Sequence, residues 1–164
     1  MKRLNLAAVL GLALSLGLLA IAPTALGTIV IGQGVAGVKL GQSQTQVEAA
    51  IGAPGLKEAP DFEGVTSWAY PKGLEGTVSF DSKLQVSGMW TASKRQKTSK
   101  GVGPGSSLAQ VRRAYPKASC STGPFGPKSL SCKLKSKDND HVVETSFLFF
   151  TRTMGAREVD IGLA

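Results

Sequence analysis

The chain has 164 residues, a formal charge of +8, 6% aromatic residues, 20 glycines, two cysteines and one histidine. That length holds one ordinary domain or two small ones, and the few aromatic residues limit the core. One histidine and one cysteine pair leave no second His/Cys set for a metal site, and the positive charge permits contact with anionic polymers or membranes without requiring it.

Met1-Lys2-Arg3 is basic, residues 4–22 are almost continuously apolar, and Ala25-Leu26-Gly27 is a small-x-small site just past Pro23. This pattern predicts a secretory signal peptide over residues 1–27. The apolar run is also long enough to span a bilayer, so an uncleaved membrane anchor is the second reading. Both place the rest of the chain outside the cytoplasm, as a secreted or extracytoplasmic protein. Without residues 1–27 the count is 17 basic against 11 acidic, or +6. Residues 28–36 read as a linker.

From Gly37 to Gly52 the chain reads GVKLGQSQTQVEAAIG, and from Gly101 to Pro116 it reads GVGPGSSLAQVRRAYP, at a constant offset of 64 residues. Gly37/Gly101, Val38/Val102, Gly41/Gly105, Ser43/Ser107, Gln46/Gln110, Val47/Val111 and Ala50/Ala114 are identical. Ser43-x-x-Gln46 and Ser107-x-x-Gln110 are capping boxes, each opening a short amphipathic helix. Val47, Ala50 and Ile51 share one face of the first helix, and Val111, Ala114 and Tyr115 share one face of the second. Gly52, with Pro54 beyond it, ends the first helix, and Pro116 ends the second. Helices this short are not stable alone, so each must lie on a partner surface.

Three strand-like runs follow the first helix: residues 66–70, 76–80 and 84–91. They alternate in polarity and are joined by short turns, which predicts an antiparallel meander. In the third run, strict alternation puts Leu84, Val86, Gly88 and Trp90 on one face and Met89 and Thr91 on the other. Residues 37–92 thus form a first repeat unit, and residues 93–100, SKRQKTSK, read as a solvated basic connector.

Residues 101–164 form the second unit. Cys120 and Cys132 flank a Gly/Pro-rich loop, and in an exported chain two cysteines this close are a disulfide candidate. Residues 136–140 read as a hairpin tip, 142–150 as a long strand, 151–155 as a turn and 157–161 as a closing strand. Phe147 and Phe149 share one face of the long strand and Leu148 and Phe150 the other. Apolar residues on both faces mark that strand as central, or as meeting the first unit or a partner on its outer face.

No catalytic motif is present. His141 is the only histidine base available, and no nucleophile elbow presents a serine to it. Asp138-Asn139-Asp140 lacks the remainder of a calcium loop, and phosphate-loop and dinucleotide patterns are missing. The expectation is a protein that is not an enzyme, with no metal and no cofactor.

The pattern G-V-x-L-G-x-S-x-x-Q-V-x-x-x-I-G-x-P over Gly37–Pro54 resembles the opening of the β-lactamase-inhibitor-like and SmpA/OmlA-like exported bacterial families. The resemblance implies α+β units, each a short helix or helix pair on an antiparallel sheet. In the inhibitor family it also implies two such units in tandem that grip a target protein through their sheets. No cysteine stands where the SmpA/OmlA pattern has its lipid-bearing residue.

Two functions are expected from these observations. One is an exported, non-catalytic module that binds an extracellular or envelope protein through its sheet face, with Trp68, Tyr70, Met89 and Trp90 as anchors. The other is a structural cell-envelope protein that contacts anionic wall or membrane components through Lys94, Arg95, Lys97, Lys100, Arg112 and Arg113. Neither implies a nucleic-acid partner.

Overall fold

The computed structural model describes residues 28–138, 141–150 and 156–163. The strands in chain order are β1 (Thr28–Val30), β2 (Gly34–Val35), β3 (Val38–Lys39), β4 (Leu56–Lys57), β5 (Thr66–Tyr70), β6 (Gly76–Phe80), β7 (Val86–Thr91), β8 (Lys97–Thr98), β9 (Ser119–Gly123), β10 (Gly126–Asp138), β11 (His141–Phe150) and β12 (Ala156–Leu163). Helix α1 (Gln44–Ile51) lies between β3 and β4, and α2 (Leu108–Ala114) between β8 and β9. The fold is mixed α+β and its sheets are mostly antiparallel.

Both capping boxes form as their sequences require. The Gln46 amide donates to Ser43 Oγ at 3.4 Å, and the Ser43 amide donates to Gln46 Oε1 at 2.8 Å. At α2 the same pair of bonds, Gln110 amide to Ser107 Oγ and Ser107 amide to Gln110 Oε1, measures 3.2 and 2.7 Å. Each box satisfies amide donors that a helix start leaves without an internal partner.

Among the described residues, eight strands form one antiparallel sheet in the order β4-β5-β6-β7-β12-β11-β10-β9. β7 and β12 meet at its centre, with Asp160 opposite Trp90 and Gly162 opposite Gly88. A second sheet has the order β3-β2-β1-β8, with β1 and β8 parallel. It belongs to the same core cluster as the helices: Ile29, Val35 and Val38 join Val47, Val111, Phe80 and Phe147 there. The Gly32 amide donates to Thr145 Oγ1 of β11 at 2.9 Å, and Tyr115 stacks on Phe147 at 5.8 Å between centroids. The two helices and the small sheet therefore cover one face of the large sheet, and its other face is open.

Three expectations change at this level. Residues 28–36 are not a linker: they contain β1 and β2 and bury Ile29 and Val35, because an apolar alternation this short still pays off once β8 supplies its missing hydrogen bonds. Residues 93–100 are not a solvated run either, since Ser93, Gln96 and Thr98 are buried and β8 lies among them. In β7, strict alternation fails at Ser87. Ser79 pairs with Gly88 and Phe80 with Val86, so Ser87 is the extra residue of a bulge. The bulge resets the period, and Val86 and Met89 both turn inward. The expected hairpin tip (136–140) is shorter than read, since residues 136–138 continue β10 and pair with β11; its residues 139–140, the signal peptide or anchor (1–27) and the turn (151–155) lie outside the described residues.

Cys120 and Cys132 stand opposite each other in the β9–β10 pair and form the expected disulfide. It ties the edge strand β9 to the long strand β10. No helix among the described residues is long and apolar enough to cross a membrane.

Candidate functional site: the open face of the sheet

The strand period decides which side chains reach the open face. On β11 these are Glu144, Ser146 and Leu148. On β12 they include Glu158 and Asp160, and on β10 Ser131, Lys133, Lys135 and Lys137. One cross-strand row runs Lys133, Ser146, Asp160, Trp90, Thr77. A neighbouring row has Gly162 opposite Gly88, which leaves bare backbone at the centre of the sheet beside Trp90. A Cβ added at either glycine would meet only ordinary contacts, so this floor is empty rather than crowded.

Two adjoining depressions lie on this face. The first, of about 510 Å³, is lined by Phe125, Ser131, Lys133, Glu144, Ser146, Leu148, Glu158 and Asp160, among others. The second, of about 560 Å³, is lined by Trp90, Ala92, Lys94, Pro104, Gly105, Phe150, Ala156, Arg157 and Glu158. Glu158 borders both. The turn from β9 to β10 folds over Leu148 and buries it. Gly123 permits this approach, because a Cβ there would sit 2.7 Å from Ser129 Oγ and 3.1 Å from Leu148 Cδ1. Ser129 fixes the turn by accepting from the Phe125 amide at 3.1 Å and donating to the Gly126 carbonyl at 3.1 Å. Phe125 then stacks on Phe150 at 5.6 Å while staying 61% exposed.

The charges on this face are unequally satisfied. Lys133 pairs with Glu144 at 2.8 Å, and the Ser146 hydroxyl donates to the same carboxylate at 3.3 Å. Glu158 and Asp160 form no ion pair among the described residues. Loss of hydration raises the Glu158 carboxyl above its ordinary range, and repulsion from Asp160 adds to the shift. Loss of hydration in the depression also raises Asp160, and Glu144 pushes in the same direction. The Ile161 amide and Lys133 oppose that rise.

Of the four expected anchors, only Trp90 lies on the open face, at 37% exposed. Trp68, Tyr70 and Met89 are core residues, each no more than 3% exposed. Trp68 packs on Phe80 at 4.8 Å, and Lys57 lies 4.1 Å above its ring while pairing with Glu48 of α1. A small core recruits the large side chains of its strands, and these three fall on the covered side. The Tyr70 hydroxyl is buried without a hydrogen-bond partner among the described residues. Burial, with Glu48 nearby, pushes its pKa up to about 12.

The six basic residues do not act alike. Lys97 Nζ donates to the Pro104 carbonyl at 2.6 Å, and burial with Lys94 nearby lowers its pKa. Lys100 Nζ donates to the Ala114 carbonyl at the end of α2 at 2.6 Å and lies 4.8 Å over the Tyr115 ring. These two lysines are tied to the fold. Lys94, Arg95, Arg112 and Arg113 are exposed. Lys94 joins Trp90 in the second depression, and Lys100 and Arg113 share a smaller one. His141 is exposed and borders a depression with Asp81, Lys83 and Gln85. Among the described residues no group of three His, Cys, Asp or Glu side chains is placed to hold a metal.

Glu144, Glu158, Asp160, Phe125 and Leu148 were not among the expected site residues. Period-two spacing on β11 and β12 places the three carboxylates on one face, but only once the two strands are known to pair.

No protein-family model matches the chain, and no curated protein matches it. Among solved structures, the chain is similar to the crystal structure of YjgB, a DUF4309 family protein from Bacillus subtilis. The identity is 15% and the TM-score 0.49, over 81% of this chain and 88% of that one.

Proposed function

We propose that the protein is an exported, non-catalytic binding module that recognises another extracellular or envelope protein through the open face of its large sheet. The observation that carries this reading is the asymmetry of that sheet. One face is covered by both helices and the small sheet, and the other presents Trp90 and Phe125 to solvent beside two depressions. Exposed aromatic residues around a concave floor are the anchors that protein interfaces use. The disulfide is in keeping with an oxidising, extracytoplasmic setting.

The reading includes a tandem organisation of two related units. Matched capping boxes support it, as does a strand order that runs outward from β7 and β12 to β4 and β9. This is the arrangement that the resemblance to the inhibitor-like families implies.

The test is capture of envelope and extracellular proteins by the intact protein at low and high salt, repeated with Trp90→Ala and with Arg112→Ala/Arg113→Ala. A discrete protein retained at high salt, lost with Trp90→Ala and kept with the arginine variant, is the expected result. Capture only at low salt, lost with the arginine variant, would replace this reading with contact to anionic wall or membrane components.

A further inference from the structure

A sheet that ends in water leaves amides and carbonyls unpaired along its last strand, and proteins blunt such edges with very short strands or with charge, lysine above all. Among the described residues the two sheets end in β3, β8, β4 and β9. The first three have two residues each, and each carries a lysine: Lys39, Lys97 and Lys57. β10 continues past Lys133, its last residue opposite β9, and on that stretch stand Lys135 and Lys137. β9 is different. Its five residues, Ser119-Cys120-Ser121-Thr122-Gly123, include no charge and no proline, and Ser119, Ser121 and Thr122 are exposed.

The strand register decides which groups of β9 are free. Cys120 and Cys132 face each other with their Cα atoms 4.0 Å apart, the spacing of the closer, non-hydrogen-bonded kind of antiparallel pair. The amide and carbonyl of Cys120 therefore point away from β10, and by the two-residue period so do those of Thr122, while Ser119 and Ser121 bond to β10. The disulfide holds this row of groups in place before anything binds, which lowers the ordering cost of binding. Ser121, Thr122 and Gly123 also line the first depression of the open face, so the edge continues that surface. Resting on the sheet-face reading above, we propose that β9 takes an extended segment of the partner protein as a further strand of the large sheet, bonded through the main chain at Cys120 and Thr122. A second copy paired edge to edge would meet only the five residues of β9, well short of the ~1,000 Å² that a stable interface buries. It would also bring together two chains of +8. A segment that runs on from the edge into the first depression adds the missing area.

The probe is a short capped peptide alternating threonine and valine, with a matched peptide N-methylated at every residue, which has no amide donors and cannot pair as a strand. Each is added to the intact, oxidised protein while amide hydrogen exchange is followed. The unmethylated peptide should slow exchange at Cys120 and Thr122 by about tenfold or more and leave Ser119 and Ser121 as they were. Its affinity should hold as salt is raised, because main-chain bonds and not charges carry it. The methylated peptide should do neither. Thr122→Pro removes an outward amide and leaves the bonds to β10 intact, and it should weaken binding by about tenfold or more. Ser121→Lys gives β9 the charge that the other edges carry and should act in the same sense. It serves as the test if the proline variant fails to fold, which thermal unfolding checks.

Slow exchange at Cys120 and Thr122 before any peptide is added would overturn the proposal. Dependence on protein concentration would then assign the edge to a second copy, and independence of it to another part of this chain. Equal effects of the two peptides, or binding unmoved by both variants, would overturn it as well. Capture of a partner that is lost with Trp90→Ala but unmoved by Thr122→Pro and Ser121→Lys would leave the sheet-face reading standing without the added strand.

Discussion

Asp160 stands directly opposite Trp90 across the seam where β7 meets β12. The pair joins two stretches of chain that are remote in sequence and places an aromatic ring and a carboxylate next to each other on the open face. Replacing Trp90 with Ala should leave unfolding close to that of the parent, within about 1 kcal/mol, because the side chain is partly solvated. Trp68→Ala should cost about 3–5 kcal/mol, since it empties a core site against Phe80. Urea unfolding of both variants checks this. A Trp90→Ala loss as large as that of Trp68→Ala would make Trp90 a core residue.

Glu158 and Asp160 give the protein an acid-side stability trend. Folding raises both carboxyls above their ordinary values of 4.5 and 3.8, so the folded state favours their protonated forms. Their contribution is neutral below the ordinary values and becomes destabilising as pH rises through the raised ones. Glu158→Gln/Asp160→Asn should therefore be the more stable protein at pH 7, by no more than about 1 kcal/mol, since Asp160 remains exposed enough for water to screen it. The difference should vanish near pH 3. Urea midpoints measured from pH 3 to 7 would contradict this if the gap ran the other way.

Tyr70 is buried with an unpartnered hydroxyl. Removing that oxygen leaves no donor or acceptor stranded, so Tyr70→Phe should be neutral or stabilising by up to about 1 kcal/mol. The parent should also lose stability between its ordinary value of 10.0 and about 12, because the unfolded chain ionises first, and the variant should lose less. Alkaline denaturation curves of the two proteins compare the slopes directly.

Reducing the Cys120–Cys132 bond opens a loop with a sequence separation of 12. The chain-entropy relation puts the loss at about 3 kcal/mol. Because β9 is an edge strand, the change should begin there. Hydrogen exchange should quicken at Ser119–Gly123 before it quickens in β11. Uniform acceleration across the large sheet would show instead that the bond supports the whole fold.

Much of the local structure was legible. Ser43, Gln46, Ser107 and Gln110 announced both helix starts, because capping is a matter of four consecutive residues. The cysteine pair was legible for the same reason. Trp68 and Tyr70 were harder, because alternation says that they share a face and not which face is covered. Residues 28–36 and 93–100 look irregular one at a time and become strands only when β1 finds β8. The bulge at Ser87 has no sequence signature in this chain, yet it decides that Val86 and Met89 lie on the same side. The carboxylates of the open face were hidden because Glu144 and Asp160 become neighbours only through strand pairing.

The seam between β7 and β12 also has a temporal side. β7 has one partner, β6, close behind it in the chain, and its other only after α2 and four further strands have been made. Forming that pairing closes a long loop, which is entropically slow and raises contact order. Until β12 arrives, one edge of β7 offers unpaired amides and carbonyls to any strand nearby. Alterations within Ala156–Leu163 should therefore first appear as slow or misdirected folding.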